Sequence, residues 1–470
     1  MVFSTQIFLF YFLPITLLGN YLLPVRWRNL YLALASYVFY GWWNPWFVSL
    51  MLLSTVVDWF AGVLIAAPGA SRRRRRTGLL FSLISNLSLL GFFKYYMFAA
   101  DNVNRLLHAF GHDGFTVMAV VLPVGISFYT FQTMSYSIDL YRGHAQKAKR
   151  FVDFMCFVSL FPQLVAGPIV RYQDVADQLH SRPQKGELFA EGAFVFMCGF
   201  AKKVLLANTI SEPAIVCFDQ AHSLGPQAAW FALVCFYFQL YFDFSGYSDM
   251  AIGLGKMLGF KFVENFASPY KAGSFTEFWQ RWHLSLTTFL RDYVFIPLGG
   301  SKGSKWRTAR NTMITFLLGG LWHGADWRFL IWGGAHGFML VLERLSGKGC
   351  LWWFLPRALR TLVLVAIFQF NWIVFRCVTL GDGAVYLNAM FRGNGTAEGQ
   401  AVVNGLVLQP FYWTCLIACA AVVFLGVETR RLAEKARRSW WISLGMVAIF
   451  AWSVLALFAQ KENPFLYFRF

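Results

Sequence analysis

Long apolar blocks, separated by short polar stretches, run along the whole chain. A helix that crosses a bilayer needs about 20 mainly apolar residues. Ten blocks approach that length, near 5–23, 30–48, 47–66, 78–99, 116–138, 188–208, 226–250, 361–376, 407–427 and 440–460. The pattern predicts an all-α polytopic membrane protein with about ten to twelve transmembrane helices. Since no linker or long repeat interrupts it, we expect residues 1–470 to form a single membrane domain.

Basic residues indicate which side of the membrane each loop faces. Lysine and arginine are enriched in cytoplasmic loops. They concentrate at 26–28, 72–76, 147–150 and 430–438. The stretch 211–225 has no lysine or arginine, and 378–406 has only Arg392, so both are expected on the outer side. This assignment predicts that both chain termini lie on the outer side, which is the periplasm if the membrane is a bacterial inner membrane.

The block 311–345 does not fit a simple alternation of sides. Basic stretches at 256–310 and 346–360 flank it and both belong in the cytoplasm, so the block must enter the membrane and return. Six glycines interrupt it: Gly319, Gly320, Gly324, Gly333, Gly334 and Gly337. Broken backbone at membrane depth is tolerated only inside protein or along a wet cavity. We therefore expect a re-entrant segment here, and a second one in 152–170, where "FPQLVAGPIV" combines two prolines with a glycine.

Composition supports the membrane prediction and excludes other classes. The chain is 57% hydrophobic and 14% charged, whereas soluble domains are about 25% charged. Its net charge of +18 does not predict a nucleic-acid partner, because the basic residues form short clusters between apolar blocks, as in loops that face anionic lipids. The eight cysteines contain no C-x-x-C pair, so neither a disulfide framework nor a metal site is predicted.

Three of the eight histidines lie outside the predicted loops: His283, His323 and His336. His323 stands in "GGLWHGAD", inside the re-entrant block, where an ionisable residue is a functional candidate. A neutral imidazole there is available as a base near pH 7, and the adjacent glycines let a substrate approach the ring. His336 follows thirteen residues later, about 20 Å away along a continuous helix, and we expect it to have a packing role.

His283 lies in the stretch 275–293, where apolar residues recur every three or four positions. This spacing predicts an amphipathic helix at the cytoplasmic interface. His283 falls on its polar side, together with Gln280, Thr287 and Arg291. By itself the pattern does not identify a catalytic residue.

Five long motifs resemble those of membrane-bound O-acyltransferases. They are "LPVGISFYTFQTMSYSIDLYRG" (122–143), "FPQLVAGPIVRY" (161–172), "FDFSGYSDMAIGLGKMLGF" (242–260), "RWHLSLTTFLRDYVFIPLGG" (281–300) and "LLGGLWHGADWRFLIWGGAHG" (317–337). The C-terminal "NPFLYFRF" is similar to the family as well. The motifs keep the family's order, so the resemblance extends over nearly the whole chain.

The resemblance implies a ring of tilted helices around a central funnel, with 256–345 as the amphipathic and re-entrant catalytic region. The family's essential membrane histidine corresponds to His323, and its second motif histidine corresponds to His283. No cofactor is expected to be bound permanently. The donor is expected to be a cytoplasmic thioester, which is acetyl-CoA in acetylating members and an acyl carrier protein in D-alanyl members.

The implied activity is O-acetyl transfer across a bacterial inner membrane to a polymer outside, with an alginate-type exopolysaccharide favoured. Cellulose, peptidoglycan and D-alanylated teichoic acid stay open as alternatives. The longest predicted external segment, 378–406, is too short to fold as a catalytic domain. The resemblance therefore favours a separate periplasmic lipase-like acetyltransferase as partner, alongside other polysaccharide-synthesis proteins.

A mechanism follows as a hypothesis. Acetyl-CoA docks from the cytoplasm with its phosphates near basic residues of 256–310. His323 acts as general base on the acceptor hydroxyl, or accepts the acetyl group transiently, and the sequence leaves both roles open. His283 lines the funnel and positions the thioester or the other histidine.

Three further residues are candidates for binding the substrate. Trp282 and Trp322 are expected to wall the tunnel and exclude water, which protects a thioester from hydrolysis. Asp292 is expected to pair with Arg281 or Arg291, either to orient it or as a plain interfacial ion pair.

Two functions of other classes stay open at this point. A transporter also uses re-entrant segments as gates, but no inverted repeat is visible in this chain. A scaffold that only recruits an external enzyme would tolerate the loss of His323.

Overall fold

The computed structural model describes residues 1–182, 185–347, 353–393, 395–460, 463–464 and 466. These residues form helices and no β-strand, which confirms the predicted all-α class. The helices are α1 (Phe8–Leu22), α2 (Val25–Gly41), α3 (Trp46–Ile65), α4 (Arg72–Ala109), α5 (Ile126–Arg142), α6 (Phe151–Ser159), α7 (Phe161–Leu164), α8 (Tyr172–His180), α9 (Gly186–Asp219), α10 (Pro226–Met257), α11 (Phe275–Trp279), α12 (Leu284–Leu290), α13 (Lys305–His323), α14 (Trp327–Ser346), α15 (Arg357–Arg376), α16 (Leu380–Arg392), α17 (Ala397–Val407), α18 (Pro410–Phe424), α19 (Thr429–Ala436) and α20 (Trp440–Ala459).

Six helices in the described part of the chain are long and apolar enough to cross a membrane: α3, α4, α9, α10, α15 and α20. The pair α17 and α18, bent by 59°, adds a seventh if it counts as one span. Other predicted blocks form shorter or less apolar helices. The block predicted at 116–138 is helical only from Ile126, because Gly125 adopts a left-handed backbone (φ +78°) directly before it. The chain is a multi-pass membrane protein.

The chain forms two compact units, residues 1–196 with 250–263, and residues 197–249 with 264–470. The single domain expected over 1–470 stays a prediction. In the first unit a buried polar network joins α3, α4 and α5. Asp58 accepts hydrogen bonds from Ser82 and from Asn86 (2.8 Å), and Thr133 donates to Asn86 (3.0 Å). Polar groups that satisfy one another in this way hold membrane helices together.

The predicted re-entrant segment 152–170 has broken backbone that is buried within the first unit. The helices α6 and α7 are short, residues 165–170 are not helical, and all residues from 153 to 170 are buried. A Cβ atom on Gly167 would overlap the carbonyl oxygen of Pro162. The irregular backbone is therefore covered by protein, as the absence of water in a bilayer core requires.

The block 311–345 forms two helices of the second unit, α13 and α14, which pack along each other and are joined at 324–326. The prediction that its glycines interrupt the backbone is wrong for all but Gly324, which lies in the turn. The others lie inside the helices, where they allow close approach. A Cβ atom on Gly320 would overlap the carbonyl oxygen of Phe329, and one on Gly333 would overlap that of Phe316.

The stretch 275–293 is not the single amphipathic helix that its periodicity predicts. The helix α11 ends at Trp279 and α12 begins at Leu284, because His283 takes a left-handed backbone (φ +45°) that no helix continues. Six of the eight apolar positions in this stretch are buried, and the other two, Leu290 and Tyr293, are half-buried; the six are Phe275, Phe278, Trp279, Trp282, Leu286 and Phe289. His283 is buried with them, with 1% of its surface exposed, and not on a solvated polar face.

An ion pair lies inside the second unit, between α9 and α10. Lys203 Nζ is 2.6 Å from Asp243 Oδ1, and both side chains are almost fully buried. The backbone near the C-terminus closes around the pair. The Lys203 ammonium donates to the carbonyl oxygen of Pro464, and the backbone N–H of Leu466 donates to Asp243 Oδ2 (2.8 Å).

Candidate active site

A cavity of about 600 Å³ lies among α11, α12, α13 and α14 in the second unit. Its walls are mainly apolar, with Leu286, Leu290 and Phe316 among them. One end is buried and carries His323, Gly319 and Trp332; the other end is exposed and carries Thr276, Arg291, Arg344, Gly347 and Trp353. The cavity therefore leads from a solvent-accessible end, where Arg291 and Arg344 lie beside the buried carboxylate of Glu343, to a histidine.

His323 is the last residue of α13, and its half-buried ring lies among aromatic side chains. The ring centroids of Trp322 and Trp332 are 5.1 Å from that of His323, and the centroid of Phe375 is 5.4 Å away. These three rings come from three different helices, α13, α14 and α15. They hold the imidazole at the buried end of the cavity.

The turn 324–326 fixes where α13 ends. Gly324 has extended backbone, and a Cβ atom there would overlap the ring of Phe329. Asp326 then begins α14 as its N-cap, accepting a hydrogen bond from the backbone N–H of Arg328 (2.8 Å). Asp326, which is three residues after His323 in the sequence, thus caps the second helix of the hairpin.

His283 is oriented by a neighbouring loop. Asn265 Oδ1 is 3.1 Å from His283 Nδ1, and it also accepts hydrogen bonds from the backbone N–H (3.2 Å) and the hydroxyl (2.9 Å) of Ser285. An oxygen that only accepts requires Nδ1 to carry the proton, so Nε2 is left as an acceptor. Burial, followed by the effect of nearby His323, lowers the pKa of the His283 imidazole well below its usual value.

Trp322 lies between the two histidines. Its ring centroid is 5.9 Å from that of His283 and 5.1 Å from that of His323. The fold thus brings together two motifs that are forty residues apart in the sequence. The arrangement places a proton acceptor, the Nε2 of His283, one indole ring away from His323.

The remaining predicted site residues surround this pair at different distances. Trp282 is buried in an aromatic cluster with Tyr270, Phe278 and Trp372. Trp279, Trp332 and Trp353 are the tryptophans among the described residues that line the cavity, whereas Trp282 and Trp322 do not line it. Asp292 pairs with Arg291 (2.7 Å) at the exposed end, whereas Arg281 pairs with Glu277 (2.8 Å).

His336 is fully buried beside the cavity. Its ring centroid is 4.7 Å from that of Trp332, 5.0 Å from that of Phe368 and 5.1 Å from that of Trp279. Neither ring nitrogen has a hydrogen-bond partner among the described residues. Because Trp332 contacts both His323 and His336, the hairpin brings the two histidines close despite their separation in sequence.

Several residues of the site escape sequence reasoning. Asn265 lies in a loop without periodicity, eighteen residues before His283. Phe375 belongs to a helix fifty-two residues after His323, and nothing in its apolar surroundings distinguishes it. Trp279 and Trp332 stand near motif histidines, and that proximity is the one signal that could have indicated them.

Comparisons with known proteins identify the family of the chain. The model of the membrane-bound O-acyltransferase family matches residues 8–381. The chain is 40% identical to proteins named probable alginate O-acetylase from Azotobacter vinelandii and Pseudomonas aeruginosa, over the full length of each chain. It is 33% identical to the peptidoglycan O-acetyltransferase of Helicobacter pylori, over all of this chain and 98% of the relative. The chain therefore belongs to the membrane-bound O-acyltransferase family and is a membrane acyltransferase.

Proposed function

We propose that the protein moves acetyl groups from cytoplasmic acetyl-CoA across the bacterial inner membrane for O-acetylation of an alginate-type exopolysaccharide. The observation that carries the proposal is the cavity, which joins an exposed end that carries Arg291, Arg344 and Glu343 to the half-buried His323. A negatively charged thioester donor fits the arginines at the exposed end, and the apolar walls fit its uncharged arm. Full-length relatives named alginate O-acetylase support the acetyl group and the polymer.

In the proposed reaction His323 acts as general base. It takes the proton of the acceptor hydroxyl while the oxygen attacks the thioester carbon. The carbon–sulfur bond then breaks, and the CoA thiolate takes the proton back from the imidazolium. The position of His323 at the C-terminus of α13 favours the imidazolium, because a helix C-terminus carries partial negative charge.

A second form of the reaction passes through acetyl-His323. The neutral imidazole attacks the thioester carbon, the carbon–sulfur bond breaks, and the CoA thiolate takes the ring's N–H proton to leave as the thiol. The acceptor hydroxyl then attacks the acetyl carbon, the carbon–nitrogen bond breaks, and the hydroxyl proton restores the neutral imidazole. In both forms the apolar walls exclude water and limit hydrolysis of the donor. The acceptor on the outer side is either the polymer itself or, as the short segment 378–406 favours, a separate periplasmic lipase-like acetyltransferase.

Sealed proteoliposomes provide the test of donor and direction. The lumen contains an alginate-type polymer and the periplasmic partner. Acetyl-CoA is added on the outside, to proteoliposomes whose basic loops face outward. The release of the CoA thiol and the acetylation of the enclosed polymer are then measured. We expect CoA to be released on the side to which acetyl-CoA was added, and the acetylated product to form in the lumen. Thiol release only from a D-alanyl carrier protein would contradict the acetyl-CoA donor, and product only on the donor side would contradict transfer across the membrane.

Replacing Asn265 by alanine is expected to lower kcat about tenfold, the equivalent of losing one hydrogen bond of roughly 1.4 kcal/mol, because His283 loses the group that fixes its tautomer. Asn265→Asp keeps the acceptor and adds a negative charge that favours the imidazolium of His283. When the pH is lowered, His283 of this variant becomes protonated at a higher pH than in the parent. The variant should therefore lose activity at a higher pH than the parent does.

The control for Asn265 is Asn371→Ala, since the hydrogen bond of the Asn371 side chain in the described part of the chain goes to a backbone oxygen of its own helix (3.3 Å). We expect its kcat and pH profile to match those of the parent. If Asn265→Asp leaves the pH profile unmoved, His283 does not take part through its proton, and its role is structural.

A further inference from the structure

Five consecutive arginines, residues 72–76, form a cluster at the start of the helix α4 in the first unit. Four of them are exposed, and none of the four forms an ion pair with a residue that the structure describes. Arg75 is half-buried, and it donates a hydrogen bond to the carbonyl oxygen of Tyr141 (2.7 Å). The arginine cluster therefore carries four exposed positive charges without an acidic partner in the described part of the chain.

Positive charges are unfavourable at this position of a helix. A helix N-terminus carries partial positive charge, so cations there destabilise the first turn. Residues three and four apart are neighbours on a helix, and Arg72 therefore repels both Arg75 and Arg76. The first turn of α4 contains no acidic residue that could compensate them. The start of the helix thus lacks negative charge, and an anionic ligand would stabilise it.

The two sides of α4 have different surroundings. Its apolar stretch is 22% buried, whereas that of α10 is 89% buried, so most of α4 faces lipid. A row of exposed apolar residues marks the lipid-facing side: Leu80, Ile84 and Leu87. Arg73 and Arg76 continue this row, because residues three and four apart share a helix face. Arg75 instead shares the buried side with Ser82, seven residues further along.

The depth of Arg73 and Arg76 matches the lipid headgroups. The hydrocarbon-facing row begins at Leu80, which follows Arg76 by four residues and Arg73 by seven. These separations correspond to about 6 Å and 10 Å along the helix axis. The headgroup layer on one face of a bilayer is about 5–8 Å thick. The long side chains of both arginines can therefore reach lipid phosphates.

We propose that the arginine cluster is a binding site for the headgroup of an anionic phospholipid, in the leaflet that the basic loops face. Arginine binds phosphate through paired N–H groups, and four to eight basic residues directly beside a membrane helix are typical of sites for anionic lipids. The apolar row below the cluster contacts the acyl chains. A lipid therefore satisfies both parts of this surface, whereas a free phosphate satisfies only one.

Native mass spectrometry of the full chain in a neutral detergent tests the site, because it counts bound lipids and gives their Kd values. We expect phosphatidylglycerol to bind more tightly than phosphatidylcholine with the same acyl chains. Replacing Arg73 and Arg76 together by glutamine should raise the Kd for phosphatidylglycerol about 25-fold, since each arginine near an anionic surface contributes a factor of about five. Arg73→Lys with Arg76→Lys keeps the charges and should retain most of the affinity.

Hydrogen exchange locates the bound lipid, because other basic loops attract phosphatidylglycerol too. The lipid should slow amide exchange in residues 71–80 of the parent and not of the glutamine variant. Thermal unfolding in neutral detergent without lipid provides a second check. The glutamine variant should be at least as stable as the parent there, because it loses charge repulsion at the start of α4.

The matched control is Arg430→Gln with Arg431→Gln, since these exposed arginines already have acidic partners, Glu434 (3.3 Å) and Glu428 (3.9 Å). Protection of residues 71–80 should be unchanged in it. Equal protection by phosphatidylcholine, or equal protection in the glutamine variant, overturns the site. Protection by sn-glycerol 1-phosphate as strong as by the lipid overturns the lipid as ligand. A glutamine variant less stable than the parent without lipid contradicts the unfavourable charge on which the site rests.

Discussion

Replacing His323 by alanine is expected to reduce acyl transfer by a factor of about 10² to 10⁴, the usual contribution of a general acid–base group. His323 is the one histidine that lines the cavity among the described residues. Trp322, Trp332 and Phe375 pack around its ring, and none of these three side chains can accept a proton in its place. The measurement is CoA release from acetyl-CoA in nanodiscs, by the parent and by the variant at equal amounts of folded protein.

The control for this loss is His108→Ala, because His108 is an exposed residue near the end of α4. We expect full activity from that variant. His323→Gln keeps much of the side-chain volume without a base and should be as inactive as His323→Ala. A His323→Ala variant that keeps at least half of the parent rate would exclude a chemical role for His323.

The same experiment separates the two proposed roles of His323. Incubating the parent with acetyl-CoA and no acceptor gives a mass increase of one acetyl group if the imidazole is acetylated. A general base gives no such adduct and no burst of CoA. His283→Ala serves as the comparison here, because its buried Nε2 lies one indole ring from His323. It should slow the reaction without removing an acetyl adduct.

The sequence predicts the helices of this protein better than it predicts the site. Five of the ten apolar blocks become helices within four residues of their predicted bounds, because bilayer thickness fixes how many apolar residues a span needs. In the other five, one helix end lies seven to eleven residues from the predicted bound. Glycine was the misleading signal in 311–345. Within a lone helix glycine weakens structure, but Gly320 and Gly333 are in a hairpin, where the missing Cβ atoms let two backbones meet.

For the candidate site, too, the sequence pattern does not reveal contacts between separate elements. His323 stands out in the sequence because an ionisable residue in an apolar block is rare. The burial of His283 does not follow from its polar neighbours, since it depends on a left-handed backbone and on Asn265 from a separate loop. Periodicity describes one element at a time. Contacts such as those of Phe375 and Trp332 with His323 arise only when several helices pack together.

Replacing Lys203 by methionine is expected to destabilise the protein by about 3–5 kcal/mol, the cost of leaving one charge of a buried ion pair uncompensated. Asp243 would lose the ammonium at 2.6 Å and keep only its backbone donor at Leu466. The side chain is 3% exposed, so water does not replace the lost partner. The measurement is thermal unfolding of the purified protein in detergent, compared with the parent under the same conditions.

The double variant Lys203→Met with Asp243→Leu distinguishes a buried charge from a lost contact. When both charges are replaced by apolar groups of similar size, a buried pair often costs nothing overall, so the double variant should recover at least half of the stability that Lys203→Met loses. The matched surface pair is Arg430 with Glu434 (3.3 Å), whose side chains are 64% and 58% exposed. Arg430→Met should cost at most about 1 kcal/mol. If the double variant is less stable than Lys203→Met, the anchoring of Leu466 by Asp243 outweighs the ion pair, because that hydrogen bond is the contact that only the second substitution removes.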